Sequence, residues 1–128
     1  MTIAEVCVFL AVLLYLLTLA PAKVFGHRAF DNANPRAPGF YRDPIRARLL
    51  GAHNNGVETF PFFLGAVLLA EFRGGKQPLL DALAISFLIL RLAFVIAYVS
   101  GRSTTRTLLW SAGFVVNAAI FFLPAYGR

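Results

Sequence analysis

Residues 48–63 read RLLGAHNNGVETFPFF and lead into the apolar run FPFFLGAVLLA, which ends at Ala70. An arginine, a histidine, two adjacent asparagines and a glutamate thus stand at the head of a segment otherwise suited to lipid. Placing one charged side chain in the centre of a bilayer costs ~2.5–3.5 kcal/mol on insertion scales. The stretch therefore predicts a membrane bundle whose helices turn these groups inward. It also makes those groups the first candidates for function.

The rest of the chain agrees with a membrane reading. Of 128 residues, 59% are hydrophobic and 14% charged, and the mean hydropathy is +0.70. A soluble domain of this length cannot bury so much apolar side chain. The length suits one domain, residues 1–128. The net charge is +6 and the pI about 10.3, but the basic residues gather in the connections between apolar runs, as in oriented membrane proteins. No nucleic-acid-reading motif is visible, so nucleic acid is not an expected partner. The two histidines, His27 and His53, and the single cysteine, Cys7, have no metal-ligand spacing. Cys7 lies within an apolar run and reads as an inert thiol.

Four apolar segments are expected as helices, at about 3–22, 44–72, 79–99 and 107–126, each near the ~20 residues that cross the hydrocarbon core. Backbone groups in lipid must be satisfied within their own segment, so helices are the workable form. MTIAE has no basic region and carries Glu5, so the first segment reads as an uncleaved helix and not a signal peptide. The connection from Lys23 to the second helix is rich in Pro, Gly, Asn and Asp and reads as an ordered, turn-rich loop. Asp43-Pro44 is a helix start, with Asp43 as cap and Pro44 at the first position. The other two connections, RGGKQP and SGRSTTR, are short, which implies antiparallel neighbours. The expected fold is an all-α, antiparallel four-transmembrane-helix bundle. Loop one carries Lys23, Arg28, Arg36, Arg42, Arg46 and Arg48, and loop three carries Arg102 and Arg106. The opposite side has Arg73, Lys76 and Arg128. Loops one and three are expected to be cytoplasmic, with both termini on the other side.

Gly51, Asn55 and Glu58 are spaced i, i+4, i+7 and share a helix face, with Arg48 about one turn earlier. His53 sits off that stripe. On the third helix Arg91 and Tyr98 are seven residues apart and share a face. Glu58 and Arg91 lie at similar depth, so they are expected to pair. Asn55 and Asn117 can serve as interhelical hydrogen-bond glue, Pro61 can kink its helix, and Gly56 and Gly65 can allow close packing. The polar cluster is open to two readings: a structural ion pair, or a ligand site within the membrane.

The polar stretch resembles the signature of the MAPEG family, the membrane-associated proteins in eicosanoid and glutathione metabolism. That signature, roughly R-x-x-x-A-H-x-N-x-x-E-x-x-P, stands here as Arg48, Ala52, His53, Asn55, Glu58 and Pro61. The resemblance extends to the long basic first loop, to His27-Arg28-Ala29-Phe30 and to the Arg91…Tyr98 spacing. It implies a homotrimer, of bacterial type, with glutathione bound near the cytoplasmic side between neighbouring subunits. By that match Asn55, Glu58 and Tyr98 contact glutathione, Arg28 is a basic residue at the end of helix one, and Arg106 lies beside the thiol with Thr107 next to it. Arg48 and Arg91 join the glutathione-binding set as arginines able to clamp carboxylates. The implied function is a glutathione-dependent transferase or peroxidase acting on a lipophilic electrophile or lipid hydroperoxide. Glutathione is its co-substrate, an arginine stabilises the thiolate, and no metal takes part. Gly51 stands where many catalytic members have an arginine, and Phe94 where some have a polar residue. These departures favour an alternative within the same family, a non-enzymatic lipid-binding or scaffold protein.

Overall fold

A computed structural model describes residues 1–126; Arg128, counted above among the charges near the termini, lies outside them. The described residues form four long helices and one short 3-10 turn, with no strand. Helix α1 spans Ile3–Phe25, α2 Pro44–Phe72, α3 Gln77–Val99 and α4 Ser103–Tyr126, and the 3-10 turn is Phe40–Arg42. Helices α2 and α3 form the centre. Helix α1 packs on one flank of this pair and α4 on the other, and α1 and α4 do not touch.

The ends follow from capping chemistry. Thr2 and Glu5 form a capping box at the start of α1, each side chain accepting from the other's backbone N–H. The carboxylate of Asp81, on α3, accepts from the free N–H of Ala4 at 2.9 Å and from the Gln77 amide at 2.8 Å. Thr2 donates to Glu71, on α2, at 2.5 Å. One end of the bundle is thus tied by carboxylates that satisfy unpaired donors at a helix N-terminus, where negative charge is favoured. At the other end Asp43 accepts from the N–H groups of Ile45 and Arg46 and caps α2, with Pro44 at its first position. Gly74 (φ +72°) and Gly101 (φ +75°) take the left-handed conformation that ends α2 and α3.

Three helices are longer than their apolar runs; α3 begins at Gln77, not Leu79, with Pro78 in its first turn. Helix α1 continues three residues past Ala22 to Phe25, because buried Ala22 packs with Phe40 and Leu49 and holds the last turn in place. Helix α4 begins at Ser103, not Thr107, and Arg106 N–H already bonds to the Arg102 carbonyl. Polar Ser103, Thr104 and Thr105 carry no apolar signal, yet they support a first helical turn outside the hydrocarbon.

Loop one is anchored by Phe40. Its ring packs edge-on against Phe30 and Tyr41, with the Arg46 guanidinium 4.6 Å from its centroid. Asp31 accepts from the Ala33 N–H and the Asn34 amide, and these bonds hold its carboxyl below the usual carboxylate range.

The core is built from small residues and a few large ones. Ala4, Ala11, Ala66, Ala70 and Ala84 are fully buried and let the helices approach closely, as suits packing in lipid. Phe63 of α2 stacks on Phe87 of α3 with centroids 4.1 Å apart. Gly56 is buried under the Tyr15 ring, whose Cε1 would lie 2.7 Å from any added methyl. Gly65, expected to do the same, faces open space. Helices α1, α3 and α4 are each long and apolar enough to cross a membrane, whereas α2 is disqualified by its polar stretch.

Candidate functional site

Three stripes at alternating four- and three-residue spacing converge between α2, α3 and α4. Helix α2 contributes Asn55, Thr59 and Phe62, α3 contributes Phe87, Arg91, Phe94 and Tyr98, and α4 contributes Arg106, Trp110, Gly113 and Asn117. They line a chain of hollows running inward from the loop-three end. An outer hollow of about 150 Å³ has Arg48, Tyr98, Arg102 and Arg106 in its wall. A middle cleft of about 300 Å³ adds Asn55, Phe94, Thr107 and Trp110 to Tyr98 and Arg106. An inner chamber of about 170 Å³ is lined by Glu58, Arg91, Trp110 and Asn117 between aromatic walls. Tyr98 and Arg106 belong to both the outer and middle hollows, and Trp110 to both the middle and inner ones. A hollow of about 320 Å³ near Phe121 and Pro124, at the opposite end, has only Arg73 as a charged lining residue and no comparable cluster.

Tyr98 is the pivot of the middle cleft. The Arg106 guanidinium sits over its ring, 4.6 Å from the centroid. Phe94 meets the same ring edge-on at 5.6 Å. Beneath it lies Gly51, where an added Cβ would come within 2.8 Å of Tyr98 Cζ. Gly51 thus lets the phenol lie directly on the α2 backbone. The cation–π contact fixes the Arg106 charge at the cleft wall while leaving its edge free for an anion. Arg48 donates to the Val99 carbonyl at 3.4 Å and packs against Gly101, which places it on the rim.

Deeper in, Arg91 is 2% exposed, and its partner is not the one expected. Arg91 Nη2 donates to Asn55 Oδ1 at 2.9 Å, and the guanidinium lies 4.2 Å from the Phe94 centroid and 5.8 Å from that of Tyr15. Among the described residues the ion pairs are Met1 with Glu5 and Arg46 with Asp43, so the expected Glu58–Arg91 pair is not formed. Glu58 is exposed at the edge of the chamber that Arg91 lines from within. Burying both charges together carries a desolvation cost that an amide partner avoids on one side. Asn55 therefore acts as glue, as expected, but to an arginine. Asn117, also expected as glue, is buried with its Oδ1 unpartnered, as are Arg91 Nε and the Tyr15 hydroxyl.

The remaining candidates divide. Thr107 lines the middle cleft, though its hydroxyl donates to the Ser103 carbonyl at 3.1 Å. Arg28 is exposed in the turns after α1, on the flank away from α4, and the fold does not bring it to the cleft. His53 turns away from the site and ties α2 to α1 through the Tyr15 carbonyl, with Nδ1 at 2.7 Å. Trp110 was not anticipated. Its signal was available: Arg106, Trp110, Gly113 and Asn117 repeat at 4-3-4 spacing, the mark of a single helix face.

The arrangement offers cations at the rim, an amide and a phenol in the cleft, and an apolar chamber beneath. Such a site suits a polar anionic molecule at the mouth with an apolar partner below. No curated protein and no solved structure matches the chain. The family model described as the MAPEG family, however, matches residues 3–126, nearly the whole bundle and every residue of the cleft, so this chain is an integral membrane protein of the MAPEG family.

Proposed function

We propose that the protein is a membrane-embedded, glutathione-dependent transferase or peroxidase acting on a lipophilic electrophile or lipid hydroperoxide. The observation that carries this reading is the gathering of Asn55, Tyr98, Arg106 and Thr107 around one cleft, with Arg48 and Arg102 on its rim. Glutathione presents two carboxylates, an ammonium group and a thiol. The rim arginines suit the carboxylates. Glu58 suits the ammonium group. Arg106, held on Tyr98, is placed to stabilise a thiolate and to lower the thiol pKa from its free value of ~8.5. In a transfer, the sulfur bonds to the electrophilic carbon while the leaving group departs with its electron pair. In a peroxidase cycle, two glutathione thiols supply two electrons and two protons, a hydroperoxide becomes an alcohol and water, and glutathione disulfide is released.

The same reading places loops one and three, which share one end of the bundle, on the cytoplasmic side, and assembles three copies so that Arg28 of a neighbour reaches the cleft. A second reading, non-enzymatic lipid binding or scaffolding, is favoured by one observation: Tyr98 fills the space above Gly51 that a glutathione-clamping arginine would need.

The test is equilibrium glutathione binding to the purified oligomer, followed by thiolate absorbance of the bound peptide. The transferase reading expects saturable binding, and a thiolate signal that Arg106→Ala lowers more than it lowers affinity. A well-folded oligomer that binds no glutathione at millimolar concentration would overturn the transferase reading and favour the second.

A further inference from the structure

We infer that a second cleft, where the ends of three helices meet beside loop one, binds an anionic phospholipid, with the phosphate on Arg46 and one acyl chain in the cleft. Its walls include Pro21 and Phe25 at the end of α1, Ile45, Arg46 and Leu49 at the start of α2, and Val99 at the end of α3. It holds about 480 Å³, more than any of the three hollows of the candidate site, and shares no lining residue with them. Helices α1 and α3 are each long and apolar enough to cross a membrane. Their ends therefore mark the border of the hydrocarbon, and the cleft opens at the depth of lipid headgroups.

Charge selects the headgroup. The Arg46 guanidinium is held over the Phe40 ring, 4.6 Å from its centroid, with Nε 3.8 Å from Asp43 Oδ1. Among the described residues no hydrogen bond engages it, so its Nη edge is free to grip phosphate oxygens in a fork. Asp43 is the one carboxylate in the wall, and it is committed to capping α2, accepting from the Ile45 and Arg46 N–H groups at 3.0 Å. The helix N-terminus meets its charge. The surroundings add a positive field: Lys23, Arg28, Arg36, Arg42 and Arg48 share loop one with Arg46, against Asp31 and Asp43. Basic recesses between helices at the membrane surface take anionic headgroups, each Lys or Arg contributing ~1 kcal/mol. A zwitterionic headgroup brings an ammonium that this field repels. The rest of the cleft selects a lipid. Below the cation the walls are apolar, and the exposed Leu17, one turn below Pro21, and Ile96, one turn below Val99, carry that surface toward the hydrocarbon. A soluble phosphate compound would leave it uncovered; an acyl chain covers it.

The probe is phosphatidylglycerol carrying a fluorophore at the end of one chain. It is titrated with the purified oligomer in an uncharged detergent, and its anisotropy reports binding. Glutathione is absent throughout, so the result stands apart from the proposed activity. We expect saturable binding. Unlabelled phosphatidylglycerol should displace the probe at about fivefold lower mole fraction than phosphatidylcholine, the equivalent of ~1 kcal/mol for one arginine. Arg46→Gln should remove that preference. Ile45→Trp, which fills the cleft and changes no charge, should remove it too. Arg42→Gln takes an equal charge from the same loop outside the cleft and should keep most of it. A preference that survives Ile45→Trp, or that falls equally with Arg42→Gln and Arg46→Gln, overturns the inference and leaves a diffuse attraction to the basic loop. No preference in the wild type overturns it as well, and dissociation of the Ile45→Trp oligomer would then show that a neighbouring copy fills the cleft. Should Ile45→Trp fail to fold, the two arginine variants still decide.

Discussion

At the scale of single residues, Gly51 separates an enzyme of the usual kind from something else. The Tyr98 ring rests on it, and Arg106 rests on Tyr98. A methyl group 2.8 Å from Tyr98 Cζ is well inside carbon contact distance. Gly51→Ala should therefore displace the phenol, cost about 1–3 kcal/mol as other overpacked sites do, and lower the thiolate signal of bound glutathione. An unchanged melting temperature together with unchanged thiolate absorbance would mean that the ring swings aside freely. Family resemblance alone would expect Gly51→Arg to restore a missing clamp; the geometry expects it to evict Tyr98. Glu58 and Asn55 make a second comparison. Asn55→Ala strands a buried guanidinium N–H and should cost about 1–3 kcal/mol. Glu58→Gln breaks no ion pair and should stay within about 0.5 kcal/mol in stability, while weakening glutathione binding. Thermal unfolding of both variants decides: an equal loss for the two would restore the Glu58–Arg91 pair. That pair was a reasonable expectation from sequence because the depth of a residue along a helix can be counted. The rotation of one helix about its axis relative to its neighbour cannot, and rotation assigned Arg91 to Asn55.

At the scale of elements, the helix ends carry more of the structure than their sequence signals suggest. Thr2 and Glu5 are legible as a capping box, and Asp43-Pro44 as a helix start, because both are local. That Asp81 reaches from α3 to the Ala4 N–H is not legible, since it depends on how two distant ends meet. Asp81→Ala should unpair that donor and the Gln77 amide, at a cost of about 1 kcal/mol by analogy with lost N-caps. The amide of Ala4 should then exchange faster with solvent; unchanged exchange would show that Thr2 and Glu5 suffice. Loop one offers a test by pH. The bonds from the Asn34 amide and the Ala33 N–H depress the Asp31 pKa. Its contribution to loop order is therefore present above the ordinary carboxylate pKa and is lost as pH falls through the depressed, folded-state value. The Asn34 side-chain NH₂ resonance should titrate with a midpoint below that of a free aspartate. A midpoint at the free value would show that the turn does not persist in solution.

At the scale of the whole molecule, the unusual element is α2. Its 29 residues at 1.5 Å each give about 43 Å, against a hydrocarbon core of ~30 Å, so its first turns, with Arg46 and Arg48, extend toward the headgroups. Glu58 stands about four turns along it, within the hydrocarbon, where a charge is costly. The other helices are apolar enough to enter lipid by themselves; α2 is not. Its place at the centre follows: it packs on α1, α3 and α4, while α1 and α4 never meet. The polar stripe gains a partner from α3, through Arg91 and Asn55, and α1 supplies only the Tyr15 carbonyl to His53. Insertion of α2 should accordingly depend on α3. In a glycosylation-mapping assay, α1, α3 and α4 should each insert as single segments, and α2 alone should insert poorly. Adding α3 in its native connection should rescue α2, and the Arg91→Leu version of that hairpin should rescue it less. If the Arg91→Leu hairpin inserts as well as the wild type, hydrophobic length alone carries α2 into the membrane, and Arg91 is retained for the ligand and not for the fold.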